Sequence, residues 1–143
     1  MVTPPFVVKP VNWHVSREAL QTIRRMVFIE EQNVPEELEW DDADERSYHV
    51  LACTPDDVAI GTGRLLLSCE VGRMAVLKEW RRRGVGSAIL KALLRLAQKE
   101  GCGTIALNAQ TYAIGFYEKH GFVAVGREFL DAGIPHRRMQ IRL

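Results

Sequence analysis

The chain has 143 residues, of which 47% are hydrophobic and 26% charged, with a formal net charge of +1. That length and balance suit one globular domain, residues 1–143, with enough core to need neither a metal nor a disulfide staple. A charge so near zero argues against nucleic acid as a partner. The opening MVTPPFVVKP has no apolar run of the length that a leader or membrane span needs, which leaves the cytoplasm as the expected compartment and no membrane partner.

In chain order, Phe6 to Val8 is a short apolar run that can be a strand. Ser16 can cap a helix, with Glu18 in its first turn and Leu20, Ile23, Met26 and Val27 at helical spacing. Residues 30–45 carry nine acids and no Lys or Arg. Pro35 breaks any helix there, so the stretch is expected to be a loop or a short irregular helix. Tyr48 to Cys53 and Val58 to Leu67 read as two strands of a hairpin around the turn Pro55-Asp56-Asp57. Gly61 and Gly63 inside the second strand predict close backbone approach or a bulge. Val71 to Leu77 is a further strand.

Val85 to Glu100 is a strong amphipathic helix. Val85, Ile89, Leu93, Leu96 and Ala97 share one face, and Gly101 or Gly103 is placed to end it. Thr104 to Leu107 is a buried-type strand, Ala113 to His120 a short helix ended by Gly121, and Phe122–Val125 and Arg138–Leu143 two closing strands. This mixed order predicts an α+β, or mixed α/β, fold with a largely antiparallel sheet. The three cysteines, Cys53, Cys69 and Cys102, are odd in number and scattered. No CxxC or Cys/His cluster joins them, which argues against a disulfide framework or a metal site and fits a reducing compartment.

The chemistry concentrates in GRMAVLKEWRRRGVGSAILKALL, residues 72–94. An apolar strand runs into a basic, glycine-containing turn and then into the long helix, with Arg81, Gly84 and Gly86 spaced R-x-x-G-x-G. The first turn of a helix leaves N–H groups without partners, and its dipole adds positive potential. Glycine lets a phosphate approach the backbone, so a diphosphate is the natural ligand. The turn is neither a GxxxxGK[ST] loop nor a GxGxxG fingerprint, since position 89 is Ile.

This stretch resembles the acetyl-CoA-binding motif of the GNAT superfamily of N-acyltransferases, [RQ]-x-x-G-x-[GA] after a strand. TIALNAQ and AIGFYEKHGF, which follow, look like that family's next elements. The resemblance implies a twisted sheet of about six to seven strands flanked by about four helices. It implies acetyl-CoA as cosubstrate, no metal, and a small-molecule or peptide amine as acceptor. Homodimers are common among such proteins. It also implies that the backbone of Met74, Ala75 and Val76 pairs with the pantetheine arm like an added strand. Arg81, Arg82, Arg83, Gly84, Val85, Gly86 and Ser87 would surround the diphosphate, with Asn108 and Phe116 against the cofactor. Tyr117 matches the tyrosine that protonates the leaving thiolate. Read by itself, Tyr117 fits better the packing face of a short helix, shared with Ile114, Phe116 and His120.

The implied reaction is direct attack of a neutral amine on the thioester, with no covalent enzyme intermediate. A backbone N–H of the 74–76 strand would hold the oxyanion. Glu30, Glu31, Asp41, Asp44, His49 and His136 are candidates for the base, Glu31 first, because an acid after the first helix can border the acceptor cleft. FIEEQNVPEELEWDDAD before His49, and GIPHRRM near the end, are similar to the ElaA-like branch of the superfamily. That similarity makes His49 and His136 candidate pocket residues. The acid-rich stretch either steers a cationic amine or is a solvated loop, the plainer of the two readings. The alternative function is a non-catalytic acyl-CoA-binding sensor, which keeps the turn but needs neither Tyr117 nor an amine pocket.

Overall fold

The computed structural model describes residues 5–143; the expectation set on the N-terminal stretch falls partly on residues 1–4, outside them. The strands are β1 (Val7–Val11), β2 (Tyr48–Cys53), β3 (Ala59–Leu65), β4 (Glu70–Val76), β5 (Thr104–Gln110), β6 (Val123–Asp131) and β7 (Ile134–Arg142). They form one seven-stranded sheet in the order β1-β2-β3-β4-β5-β7-β6. Every neighbouring pair is antiparallel except β4 and β5. Four α-helices accompany it: α1 (Trp13–Arg24), α2 (Glu36–Glu39), α3 (Val85–Lys99) and α4 (Ile114–Glu118). The mixed, largely antiparallel architecture expected from the element order is the one observed.

The first helix starts earlier than expected. Asn12, not Ser16, is its cap, and its Oδ1 accepts from the amides of His14 at 2.9 Å and Val15 at 3.3 Å. An Asn side chain satisfies two orphan donors there, and Ser16 and Glu18 fall inside the helix instead. The helix then widens into a π-helical stretch, Arg25–Glu31. Pro35 interrupts the chain as expected, and α2 begins directly after it.

The two faces of the sheet are covered differently. α3 buries Val85, Ile89, Leu93 and Ala97 against Val50, Ile105, Leu107 and Met139. Gly61 and Gly63 make this approach possible: a Cβ on Gly63 would stand 2.7 Å from Ile89 and 2.8 Å from Leu93. α1 covers the other face with Trp13, Leu20 and Ile23, and the π-helical stretch adds Val27.

Two expectations are corrected. Cys69 and Cys102 form a disulfide, with Cα atoms 5.9 Å apart, and only Cys53 is free. Thirty-three residues separate the pair in sequence. The β4–α3–β5 crossover, however, returns the chain to the start of β4, and the bridge closes that unit. The acid-rich segment is also not simply solvated. Glu39 and Asp44 are buried, and both pair with the buried Arg24, at 2.9 and 2.7 Å. Asp44 and Asp41 also hold Arg64, at 3.0 and 2.9 Å. These acids are the counter-charges of arginines brought in by α1 and β3, and such charges are buried only when paired.

Candidate functional site

The parallel pairing of β4 and β5 lasts two positions, Glu70↔Ala106 and Val71↔Leu107. Beyond them a bulge shifts the β3–β4 register between Thr62 and Arg64, and Arg73 takes the left-handed φ of 50°. The bulge bends β4 away from β5. A cavity of about 680 Å³ fills the gap, and Met74, Ala75, Val76, Asn108, Phe116 and Tyr117 are among its lining. Leu77 donates to Ile60 of β3, so strand alternation turns the backbone of Met74 and Val76 toward the cavity and that of Ala75 toward β3.

α3 starts at the open end of this gap. Its cap, Gly84, has a φ of 82°, and no side chain accepts from the amides of its first turn. The first hydrogen bond that closes onto the helix is Ala88 N–H to Gly84 O at 3.0 Å. Fifteen residues of aligned peptides stand behind amides with nothing to bind. The space over Gly84 is clear, with nothing within 4 Å of a Cβ placed there. Donor set and clearance therefore fit a diphosphate. Arg82 lines the cavity in a left-handed conformation (φ 63°). Arg83 turns aside onto the Trp80 ring, 5.0 Å from its centroid. Ser87 contacts His120 at 3.2 Å.

Arg81 does something else. Its Nε donates to Val76 O at 3.0 Å, and its two terminal nitrogens donate to the two Glu31 oxygens, both at 2.6 Å. The Arg81 hydrogen bonds hold the Glu31 carboxyl below the usual carboxylate range. A second tie lies beside it: Gln110 at the end of β5 donates to Gln32 at 2.9 Å. The segment after the first helix is thus fastened both to the basic turn and to β5.

Tyr117 is half-buried on α4, between Phe116 (ring centroids 5.0 Å) and Phe122 (5.9 Å). Its hydroxyl points at the Met74 sulfur, 3.8 Å away. Burial, with a smaller contribution from Tyr112, pushes its pKa up to about 12. Phe116 covers Gly86; a Cβ on Gly86 would meet its ring at 3.6 Å, an ordinary contact. Asn108 lines the cavity with its Oδ1 held by Arg138 at 3.2 Å, and Arg138 is paired to Glu70 at 2.6 Å.

The two histidines separate. His49 is buried against Trp13 of α1, ring centroids 4.9 Å apart, with Nε2 2.8 Å from Asp44 O, and it is not in the cavity lining. Burial lowers its pKa and favours the neutral ring. His136 lines the cavity. Its Nδ1 lies 2.6 Å from Ile134 O, and its ring stacks 5.8 Å from Phe129. A carbonyl only accepts, so Nδ1 carries the proton and Nε2 of the neutral ring keeps a lone pair. Among the other base candidates, Asp44 accepts from both Arg24 and Arg64, and Asp41 from Arg64 and Arg73. Glu30 lies outside the cavity lining.

The sequence reading did not pick out the wall made by Glu39, Arg64 and Arg73, which lines the same cavity. Its signal was present, since an acid-rich run with no cation of its own needs arginines from elsewhere in the chain. Among the described residues, no group of His, Cys, Asp and Glu is arranged to hold a metal, and no helix is long and apolar enough to cross a membrane.

Residues 14–143 match the model of the acetyltransferase (GNAT) domain family. An uncharacterised N-acetyltransferase of Bacillus subtilis, YjcF, is 44% identical over 121 residues, covering 82% of this chain and 86% of its own. An acyl-CoA N-acyltransferase from Pseudomonas aeruginosa superposes with a TM-score of 0.82 at 25% identity, covering 95% of this chain and 99% of its own. ElaA of Escherichia coli shares the fold, with a TM-score of 0.85 at 24% identity, covering 95% of this chain and 99% of its own.

Proposed function

The chain belongs to the GNAT acetyltransferase family, as an acyl-CoA-dependent N-acyltransferase, and from that premise we propose that it moves an acetyl group from acetyl-CoA to a primary amine by direct attack. The observation that carries this reading is the alignment of three features along one cavity. These are the uncapped start of α3, the unpaired edge of β4 after Val71, and the Tyr117 hydroxyl across from Met74.

The thioester supplies an electrophilic carbonyl; the chain supplies the rest. Amides of Val85, Gly86 and Ser87, with Arg82 beside them, hold the diphosphate. The free backbone of Met74 and Val76 aligns the arm, and an N–H on this strand faces the carbonyl oxygen as its charge develops. Val76 O is already engaged by Arg81, which leaves Met74 and the Val76 N–H for that task.

His136 takes the base role in this reading. An amine of pKa about 10 is protonated at neutral pH and has to lose a proton before it attacks. Nε2 of His136 is a lone pair fixed by the Ile134 carbonyl, whereas the carboxylates of Glu31 and Asp44 are committed to arginines. As the N–C bond forms, the amine proton passes to Nε2. As the C–S bond breaks, its electron pair stays on sulfur and Tyr117 gives up its proton there. Exchange with solvent restores both side chains; counted from the ammonium form of the amine, one proton leaves to solvent before attack and a second ends on sulfur. A phenol of pKa about 12 is a weak acid in water, but the burial that disfavours the phenolate disfavours the thiolate in the same way.

The test is a thermal-shift series with acetyl-CoA and free CoA, followed by thiol release over a panel of amines. Acetyl-CoA should stabilise the fold, and His136→Gln should lower turnover roughly a hundredfold while stabilisation by acetyl-CoA persists. Absence of stabilisation by either molecule would overturn the proposal. Stabilisation without thiol release from any amine would leave a binding module in its place.

A further inference from the structure

On the near side of the bulge the cavity follows β4 toward the basic turn. On the far side its lining includes Glu39, Arg64, Leu66, Glu70, Ile134 and His136. Two guanidinium groups stand in this part, and neither is fully used. The Arg64 side chain is 5% exposed; Nη1 is held by Asp41 at 2.9 Å and Asp44 at 3.0 Å. Its Nε is buried without a hydrogen-bond acceptor, and among the described residues nothing accepts from Nη2. Arg73, whose side chain is 26% exposed, gives Nη2 to Leu38 O, Glu39 O and Asp41. Its Nε lies 3.1 Å from Glu39 but out of line for a hydrogen bond, and nothing described accepts from Nη1.

A guanidinium carries five N–H donors, and leaving them unfilled in a desolvated place is costly. The cluster itself is electrically closed, because Arg24, Arg64 and Arg73 face Glu39, Asp41 and Asp44. What is missing is acceptor atoms, not charge. A ligand with two oxygens and a single negative charge supplies them with little repulsion, and the fork geometry of Arg matches a carboxylate. A dianionic phosphate would bring twice that charge against three carboxylates, two of them buried.

We propose that the acceptor amine carries a carboxylate on the same small molecule. The carboxylate sits on Nη1 of Arg73 and Nη2 of Arg64, the free donors that are not sealed in the interior, and the amine is turned toward His136. Val34, Leu38, Leu66 and Ile134 in the same lining give the body between them an apolar surround, so the class is a neutral, apolar amino acid. This inference rests on the acyl-transfer reading above, with one part of the test devoted to separating the two.

The experiment compares leucine with leucinamide and 3-methylbutylamine, using the full chain, acetyl-CoA and thiol release at fixed pH. The amide has the less basic amine and is favoured by bare chemistry, so any preference for the acid reports recognition. Leucine should exceed both in kcat/KM by roughly tenfold or more. Arg73→Gln should raise the KM for leucine by a similar factor and erase its advantage over leucinamide, with the KM for acetyl-CoA changed less than about twofold. Arg73→Lys, which keeps the charge and loses the fork, should fall between. Equal rates for all three acceptors, or faster turnover of the amines that lack a carboxylate, would overturn the inference and leave acyl transfer standing. Where no amine releases thiol, thermal shift in the presence of CoA decides: leucine should stabilise and leucinamide should not, and no shift with leucine overturns the inference.

Discussion

Arg81 grips Glu31 through two hydrogen bonds of 2.6 Å while its Nε holds the Val76 carbonyl. One side chain thereby joins the segment after the first helix, the end of β4 and the basic turn. Both partners are more than a third exposed, so the pair adds about 1 kcal/mol or less to stability. Its effect is expected in coupling. Glu31→Gln should leave the melting temperature nearly unchanged and raise the KM for the amine several-fold more than that for acetyl-CoA. The folded pKa of Glu31 is depressed, so its modest stabilisation is present above the usual carboxylate range and is lost as pH falls through the lower folded value. The wild-type protein should therefore approach the variant's amine KM in acid.

Tyr117→Phe removes the proton for sulfur and leaves the ring packing against Phe116 and Phe122. Turnover is expected to fall by roughly 10² to 10³, with binding of acetyl-CoA unaltered by calorimetry. Retention of parental turnover would take Tyr117 out of the chemistry. Burial raises its pKa from 10.0 to about 12, so the neutral phenol is preferred in the fold. Its contribution to stability is complete below pH 10 and drains away as pH climbs toward 12. The Phe variant should lack that alkaline loss in a pH series of melting curves.

The Cys69–Cys102 bridge closes a loop with a sequence separation of 33. Chain-entropy reasoning gives such a loop about 3–4 kcal/mol of stabilisation at 25 °C. Cys102→Ser should lose about that much by denaturant unfolding relative to the oxidised parent, and dithiothreitol should lower the parent to the same level. Equal midpoints with and without reductant would mean that the bridge does not form in solution.

Arg24 is 1% exposed and serves Glu39 and Asp44 together. Arg24→Met leaves Glu39, Asp41 and Asp44 facing only Arg64 and Arg73, one negative charge uncompensated in the cluster, at an expected cost of about 3–5 kcal/mol by urea unfolding. Adding Glu39→Gln to that variant restores the charge balance and should recover part of the loss, since uncompensated charge rather than lost packing dominates.

Periodicity made α3 and its buried face legible, and the strand–turn–helix order located the glycine turn whose amides open α3 without a side-chain cap, because both depend on near neighbours in sequence. Gly61 and Gly63 were likewise readable as a place of close approach. Pairings between distant segments were not. Cys69 finds Cys102 only through a crossover, and Glu39 finds Arg24 and Arg73 only after α1 has packed on the sheet. The cap moved from Ser16 to Asn12 because either residue can accept from orphan amides, and tertiary packing selects between them. His49 and His136 had equal standing as pocket residues in the sequence. Strand β2 carries one under Trp13, and β7 carries the other into the gap beside β5.

The two-position contact between β4 and β5 leaves the sheet nearly divided. β1 to β4 form one panel, β5, β7 and β6 the other, and along most of their shared seam no rung joins them. In the proposed binding mode a molecule lying lengthwise in that seam would act as an extra slat, bonding to the panel on its β4 side and filling the space up to the other. Loading would then be expected to stiffen the seam between the two panels. Amide exchange at Met74, Val76 and the first turn of α3 should slow together on loading, while the far edges at β1 and β6 keep their pace.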